Sequence, residues 1–369
     1  GIVDVTFRTV SKNTAQAVVA QYLHEVVAGR NYWGRTDLSG STLSGYASAT
    51  VLWANEVPEN PNKDFIYEMG SKGAKTFCAP IQHIIQLRRS WEQPHRKFEP
   101  IPPQAYISLA KRYQYLCATS AGFVSQPAVS IRCIVLASFT GSRLSEYGQS
   151  KTGAASSVAR VPTSAFAGQF SNMPIAFTYD DLTFRDQDDA DLTPPEHHRA
   201  FRLMVRFRYD KGPVNWEHRT WRRSGHNFFC PVLAGIDLYR GAMMLGLSTT
   251  DPLAAYTLQP RPDLRFITGK DIQHTLREAV LDAFPDPNHR VHSVLNKFSA
   301  HSLRVTPAMA LLARGFVVEL VSNILRWNSD AINRYIRDPR LTKDPLFAHI
   351  ALSCELISEQ QLLDPLAQG

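Results

Sequence analysis

Three separated segments concentrate residue types that can work on an anionic ester. The first runs from Ser138 to Glu146 and orders Thr140, Gly141, Arg143 and Glu146 as T-G-x-R-x-x-E. The second is Tyr209-Asp210-Lys211-Gly212, where an alternating apolar run meets a turn. The third opens with His301 and Arg304 as H-x-x-R and continues to Arg326-Trp327, with Tyr335 eight residues beyond Trp327. Guanidiniums are always charged and can grip phosphate oxygens bidentately. A phenol has a pKa of about 10 and needs nearby cations or a base before it can attack near neutrality. Each residue also has a plain structural reading. Arg143 can pair with Glu146 one helical turn away. Lys211 can be a solvated turn lysine, Trp327 a core side chain, and Tyr335 a packing residue on an amphipathic helix.

In order and rough spacing, the three segments resemble the signature of the tyrosine recombinases. That signature is an Arg with an acid three residues later, a Lys on a β-hairpin, H-x-x-R, a His or Trp, and then a Tyr. The stretches Arg89-Ser-Trp-Glu-Gln-Pro and Arg326 to Arg337 are most similar to mobile-element recombinases of the Crypton and DIRS types. The resemblance covers roughly 100–340 and, more loosely, the helical region before it.

The resemblance implies a role for each residue. Arg143 and Arg304 clamp the non-bridging oxygens, where one inserted arginine is worth about 10³–10⁵ in rate in other phosphoryl transfers. Tyr335 is the nucleophile and forms a 3′-phosphotyrosine. His301 is the base that takes its proton, and Lys211 is the acid that protonates the leaving 5′-oxygen. Trp327 replaces the His of many members. Its indole N–H donates one hydrogen bond and cannot shuttle protons, so its role is positioning. Glu146 orients an arginine or His301. The function implied is site-specific cleavage and rejoining of double-stranded DNA without metal or cofactor. Two alternatives are a type IB topoisomerase-like DNA relaxation and a domesticated, inactive DNA-binding protein.

The residues that must be positioned lie in a chain of 369 residues, long enough for two domains. Hydrophobic residues make up 44%, enough for real cores. The net charge of +7 and pI near 9.2 suit a polyanionic partner. No apolar run reaches the length of a membrane span, and Gly1-Ile-Val-Asp-Val lacks a secretory pattern. Since residue 1 is not Met, the chain is read as a processed or trimmed piece. The five cysteines, Cys78, Cys117, Cys133, Cys230 and Cys354, have no C-x-x-C spacing and read as free buried thiols in a reducing compartment. This points to an intracellular protein, in the nucleus or nucleoid if it acts on DNA. His197-His198 beside Glu196 reads as solvent-facing, with no metal site.

The expected fold is mostly α with a small antiparallel β-sheet: a helical core-binding domain over 1–95 and a catalytic domain over 96–369, closing as a clamp on duplex DNA. Helices are expected at 12–29, capped by Ser11 and ended by Gly29, near 42–57, over 76–92, 104–119 and 128–140, and at 270–283 with Thr268 as cap. The prolines of 88–103 mark an interdomain linker whose Arg88, Arg89, Arg96 and Lys97 suit a phosphate backbone. Residues 175–179 and 201–209 alternate like strands. Thr306-Pro307 requires either a helix restart, with Thr306 as cap, or a bend, and Gly315 ends that helix. Residues 344–363 read as a last helix, with Leu346, Phe347, Ile350, Cys354 and Ile357 on one face. That stripe can fold back on its own domain; the resemblance implies docking into a neighbouring subunit of a tetramer on two DNA sites.

Overall fold

The computed structural model describes residues 11–28, 40–56, 66–69, 75–91, 98–118, 122–149, 158–161, 173–208, 217–258, 263–327 and 344–354. The chain is mostly α-helical with small antiparallel sheets, and it divides into two compact units, Gly1–Arg96 and Lys97–Gly369.

The first unit holds α1 (Lys12–Val27), α2 (Gly40–Glu56) and α3 (Ala79–Trp91), with a short hairpin of β1 (Tyr67–Met69) and β2 (Lys75–Phe77). Ser11 caps α1 by accepting from the Thr14 N–H at 3.2 Å. Ala15, Val19, Leu23 and Val26 recur three and four apart and are buried with Leu43, Ala47, Ile81 and Ile85. The helix expected at 76–92 begins instead at Ala79, because Lys75–Phe77 pairs with β1 and the Tyr67 and Phe77 rings stack at 5.2 Å. Arg88 and Arg89 also depart from expectation. They lie within α3, not in a linker, since the helix-breaking prolines begin only at Pro94.

The second unit is built around α5 (Gln126–Thr140), in which every residue from Ala128 to Thr140 is buried. A helix apolar on all sides must be enclosed. Here the enclosing helices include α4 (Pro103–Cys117), α7 (Pro231–Met244), α8 (Gly269–Ala283) and α9 (Ser302–Ala313). Between α5 and α7 in sequence come the single turn α6 (Leu144–Tyr147) and an antiparallel sheet of β3 (Leu182–Arg185), β4 (Arg202–Phe207) and β5 (Glu217–Arg222). Alternate residues of β4, Leu203, Val205 and Phe207, are buried. A second hairpin pairs β6 (Ala255–Thr257) with β7 (Leu264–Phe266). Thr268 caps α8 and exchanges hydrogen bonds with Asp271.

Residues 175–179 are not a strand. Their backbone bonds run to separate places, Ile175 N–H to Ala159, Phe177 N–H to Glu146, and Leu253 N–H to Phe177, so no ladder forms. Nor does α9 restart at Thr306. It runs unbroken through Pro307, and the Thr306 hydroxyl donates to the Ser302 carbonyl at 2.8 Å while accepting from the Ile101 N–H at 2.9 Å. Gly315, at φ 86°, ends α9 in a Schellman motif: its N–H bonds to Leu312 and that of Phe316 to Leu311. Among the described residues two short helices follow, α10 (Val318–Ile324) and α11 (Pro345–Leu352).

The expected helix 344–363 stops at Leu352 in the described residues, and positions 355–363 lie outside them. Its apolar face is turned inward. Phe347 and Ile350 are buried, and Phe347 meets the rings of Tyr106 and Phe229. The Ser353 carbonyl accepts from the Arg222 N–H at 2.8 Å, and Cys354 bridges to Trp221. Ile357 lies outside the described residues. No helix among the described residues is long and apolar enough to cross a membrane.

Candidate active site

The site is assembled on the turn between α5 and α6. Gly141 ends α5 in the left-handed conformation, φ 58°, with its N–H on the Ala137 carbonyl. A Cβ there would lie 2.8 Å from Leu325 Cδ2, so the position needs glycine for both conformation and space. Thr140 and Ser142 hydroxyls bond to each other at 2.6 Å and close the turn. The next residue, Arg143, caps α6. Its backbone N–H donates to Glu146 Oε2 at 2.6 Å, while its Nη1 stands 3.9 Å from Glu146 Oε1 and its side chain is 33% exposed. The ion pair between Arg143 and the buried Glu146 is therefore present only at its outer limit.

From α9, Arg304 reaches the same turn. Its Nη1 donates to the Gly141 carbonyl at 2.8 Å, and its guanidinium lies 5.1 Å from the centre of the Trp327 ring. Burial leaves Arg304 8% exposed. His301, just before α9, packs against the Phe98 ring with the planes inclined at 46° and the centroids 4.8 Å apart. Burial first, and the Arg304 charge second, hold its pKa below the usual imidazole value. A neutral imidazole can accept a proton.

The end of α10 supplies the third wall. Trp327 N–H bonds to Ser322 and Arg326 N–H to Asn323, a second Schellman motif. Its left-handed residue is Arg326, φ 57°, where glycine is usual. A non-glycine residue held there costs on the order of 1–3 kcal/mol. The Arg326 guanidinium pairs with Glu146 Oε1 at 2.8 Å, both side chains being 4% exposed, and lies 3.3 Å over the Phe207 ring. Trp327 itself is 6% exposed.

The described residues thus bring together Arg143, Glu146, His301, Arg304 and Trp327. Lys211, in 209–216 between β4 and β5, and Tyr335, in 328–343, lie outside the described residues. So do Arg96 and Lys97 and the side chain of Arg89, while Arg88 is half-buried in the first unit. Arg326 has no sequence mark of its own role, because a left-handed arginine looks like any other. His197 also departs from expectation. It is buried between the rings of Phe184 and Tyr239, at 4.2 and 4.7 Å, and burial lowers its pKa. Among the described residues no group of His, Cys, Asp and Glu could hold a metal ion.

Two guanidiniums joined to one turn, with a neutral imidazole and an indole beside them, can bind a phosphodiester and stabilise added negative charge on it. No protein-family model matches the chain, and no curated protein matches it.

Proposed function

We propose that this chain is a tyrosine recombinase of a mobile element. It cleaves and rejoins duplex DNA through a covalent 3′-phosphotyrosine. The observation that carries the reading is the bond from Arg304 to the Gly141 carbonyl, two residues before Arg143. It draws together segments singled out for their chemistry alone.

In this reading the Tyr335 hydroxyl oxygen attacks phosphorus and gives its proton to His301. The P–O5′ bond breaks, and Lys211 protonates the departing 5′-oxygen. Arg143 and Arg304 hold the two non-bridging oxygens as charge builds on them. Trp327 fixes the Arg304 guanidinium. The phosphotyrosine retains the ester's energy, so a 5′-hydroxyl from another strand reverses each step without ATP. Phosphate contacts dominate affinity, which therefore falls with salt. The enzyme works in the nucleus or nucleoid, as a tetramer on two DNA sites.

The test is incubation with a pool of nicked duplexes of randomised sequence, followed by denaturing electrophoresis. An SDS-resistant adduct that maps to the peptide containing Tyr335 supports the reading. DNA binding without any adduct would identify an inactive DNA-binding protein instead.

A further inference from the structure

We infer that His226 and His349 form an acid-sensitive latch on α11. The helix is seated while His226 is neutral and unseats when that imidazole takes up a proton. The latch does not depend on the functional reading above.

The turn between β5 and α7 gives the first reason. The Phe228 and Phe229 N–H groups both donate to His226 Nδ1, at 3.0 and 2.9 Å. A side chain that accepts from amides just ahead of it in a turn is ordinarily Asn, Asp, Ser or Thr. Here a titratable ring does so. Because Nδ1 is an acceptor, the neutral ring carries its proton on Nε2. A second proton can enter only at Nδ1, against two N–H groups. The imidazolium therefore cannot stay in the turn, and its departure takes the acceptor from both amides. The Ser224 hydroxyl closes the same turn, donating to the Phe229 carbonyl at 2.6 Å and accepting from the His226 N–H at 3.2 Å.

The second reason is what rests on this turn. His349, on α11, donates from Nδ1 to the Ser224 carbonyl at 2.6 Å, and its ring meets that of His226 edge to face with centroids 5.4 Å apart. Phe347 packs on the Phe229 ring. The body of α11 thus sits on the turn, while Arg222 holds its far end through the Leu352 and Ser353 carbonyls. The Arg222 bonds do not titrate in this range, so the helix can unseat from the turn without the domain unfolding.

The charges nearby act in the same direction. His349 can take a proton at Nε2 and keep its bond to Ser224, and its charge then faces His226. Arg222 and Arg223, from β5 and the residue after it, donate to the Leu352 and Ala200 carbonyls. Arg132 of α5 donates to the Phe228 carbonyl, and the carboxylate of Asp237 on α7 is taken by Arg132 and Tyr113. Asp344, the cap of α11, accepts from the Leu346 N–H. Burial first, and His349 second, hold His226 below the ordinary imidazole value of 6.5. The latch is therefore closed above that pH and weakens as pH falls below it toward the depressed value.

Hydrogen exchange of the amides of 347–352 in the full chain, corrected for the intrinsic pH dependence of exchange, tests the latch. Their protection should fall about tenfold between pH 7.5 and 5.5, and at pH 5.5 should lie about tenfold or more below that of α5. His226→Asn keeps an acceptor that suits the turn and does not titrate. In that variant the protection of α11 should stay within about threefold across the same range. The inference is overturned by constant protection in the native chain, by an equal fall in His226→Asn, or by α11 and α5 exchanging equally at pH 5.5, which would mean release only through global unfolding. Should His226→Asn fail to fold, nitrogen NMR of the native His226 ring decides. A proton on Nε2 at pH 7.5 and titration below 6.5 support the latch, and a proton on Nδ1 or titration at or above 6.5 overturns it.

Discussion

Arg304 donates from Nη1 to the Gly141 carbonyl oxygen at 2.8 Å, joining residues 163 positions apart in the chain. The bond needs Gly141 in its left-handed conformation and α9 continuous through Pro307. Gly141→Ala would place a methyl 2.8 Å from Leu325 Cδ2 at a φ of 58°. It should lower stability by about 1–3 kcal/mol. Urea denaturation with an unchanged slope and a lower midpoint would show it. A midpoint equal to that of the native chain would mean the turn can relax.

Arg304→Ala should reduce adduct formation by orders of magnitude. Because Arg304 is buried, the change also leaves the Gly141 carbonyl unmet, at about 1–3 kcal/mol. Adduct rates should therefore be compared well below the melting temperature of the variant. Cleavage surviving in a folded Arg304→Ala chain would remove Arg304 from the site.

Tyr335→Phe and Lys211→Ala test the nucleophile and the acid of the proposed reaction separately. Tyr335→Phe should abolish the adduct and leave DNA affinity within a few-fold, since only the phenolic oxygen is lost. Lys211→Ala should slow cleavage of ordinary DNA, and a 5′-thio leaving group should restore it, because a thiolate departs without a proton. A Lys211→Ala chain equally slow on both substrates would give Lys211 another task.

Three imidazoles, His197, His226 and His301, are held below the ordinary value of 6.5, in each case chiefly by burial. The unfolded chain therefore binds more protons than the native one just below pH 6.5. Their contribution to stability is complete above that pH and is lost as pH falls through the depressed folded values. Denaturation midpoints should fall between pH 7.5 and 5.5. In His197→Phe, which keeps a ring between Phe184 and Tyr239, that fall should be smaller. An equal or steeper fall in His197→Phe would exclude His197 as a contributor.

The inward face of α11 changes what a C-terminal truncation tests. Phe347 is fully buried against Tyr106 and Phe229, so Phe347→Ala should cost about 3–5 kcal/mol in this chain alone. Removing residues 355–369 spares that contact. It should leave binding to one DNA site intact and reduce cooperative assembly on two, measured by sedimentation and band shift. Unchanged tetramers in the truncated chain would place the subunit contacts elsewhere.

Much of the local structure was legible in the residues themselves. Ser11 and Thr268 as caps, Gly315 as a helix end and the alternation of Leu203, Val205 and Phe207 are effects between neighbours a few positions apart. The order of Arg143, His301, Arg304 and Trp327 was likewise visible as a pattern of residue types. The placement of charges was not. Glu146 and Arg326 are 180 positions apart, and their pairing exists only once α6, α10 and the β4 residue Phe207 have closed on one another. For the same reason burial made His197 a core residue, pairing with β1 made residues 75–77 a strand, and packing turned the α11 stripe inward. Local chemistry chooses helices, strands and their ends. Which carboxylate meets which guanidinium depends on long-range closure, where burial makes each unpaired charge too costly to leave.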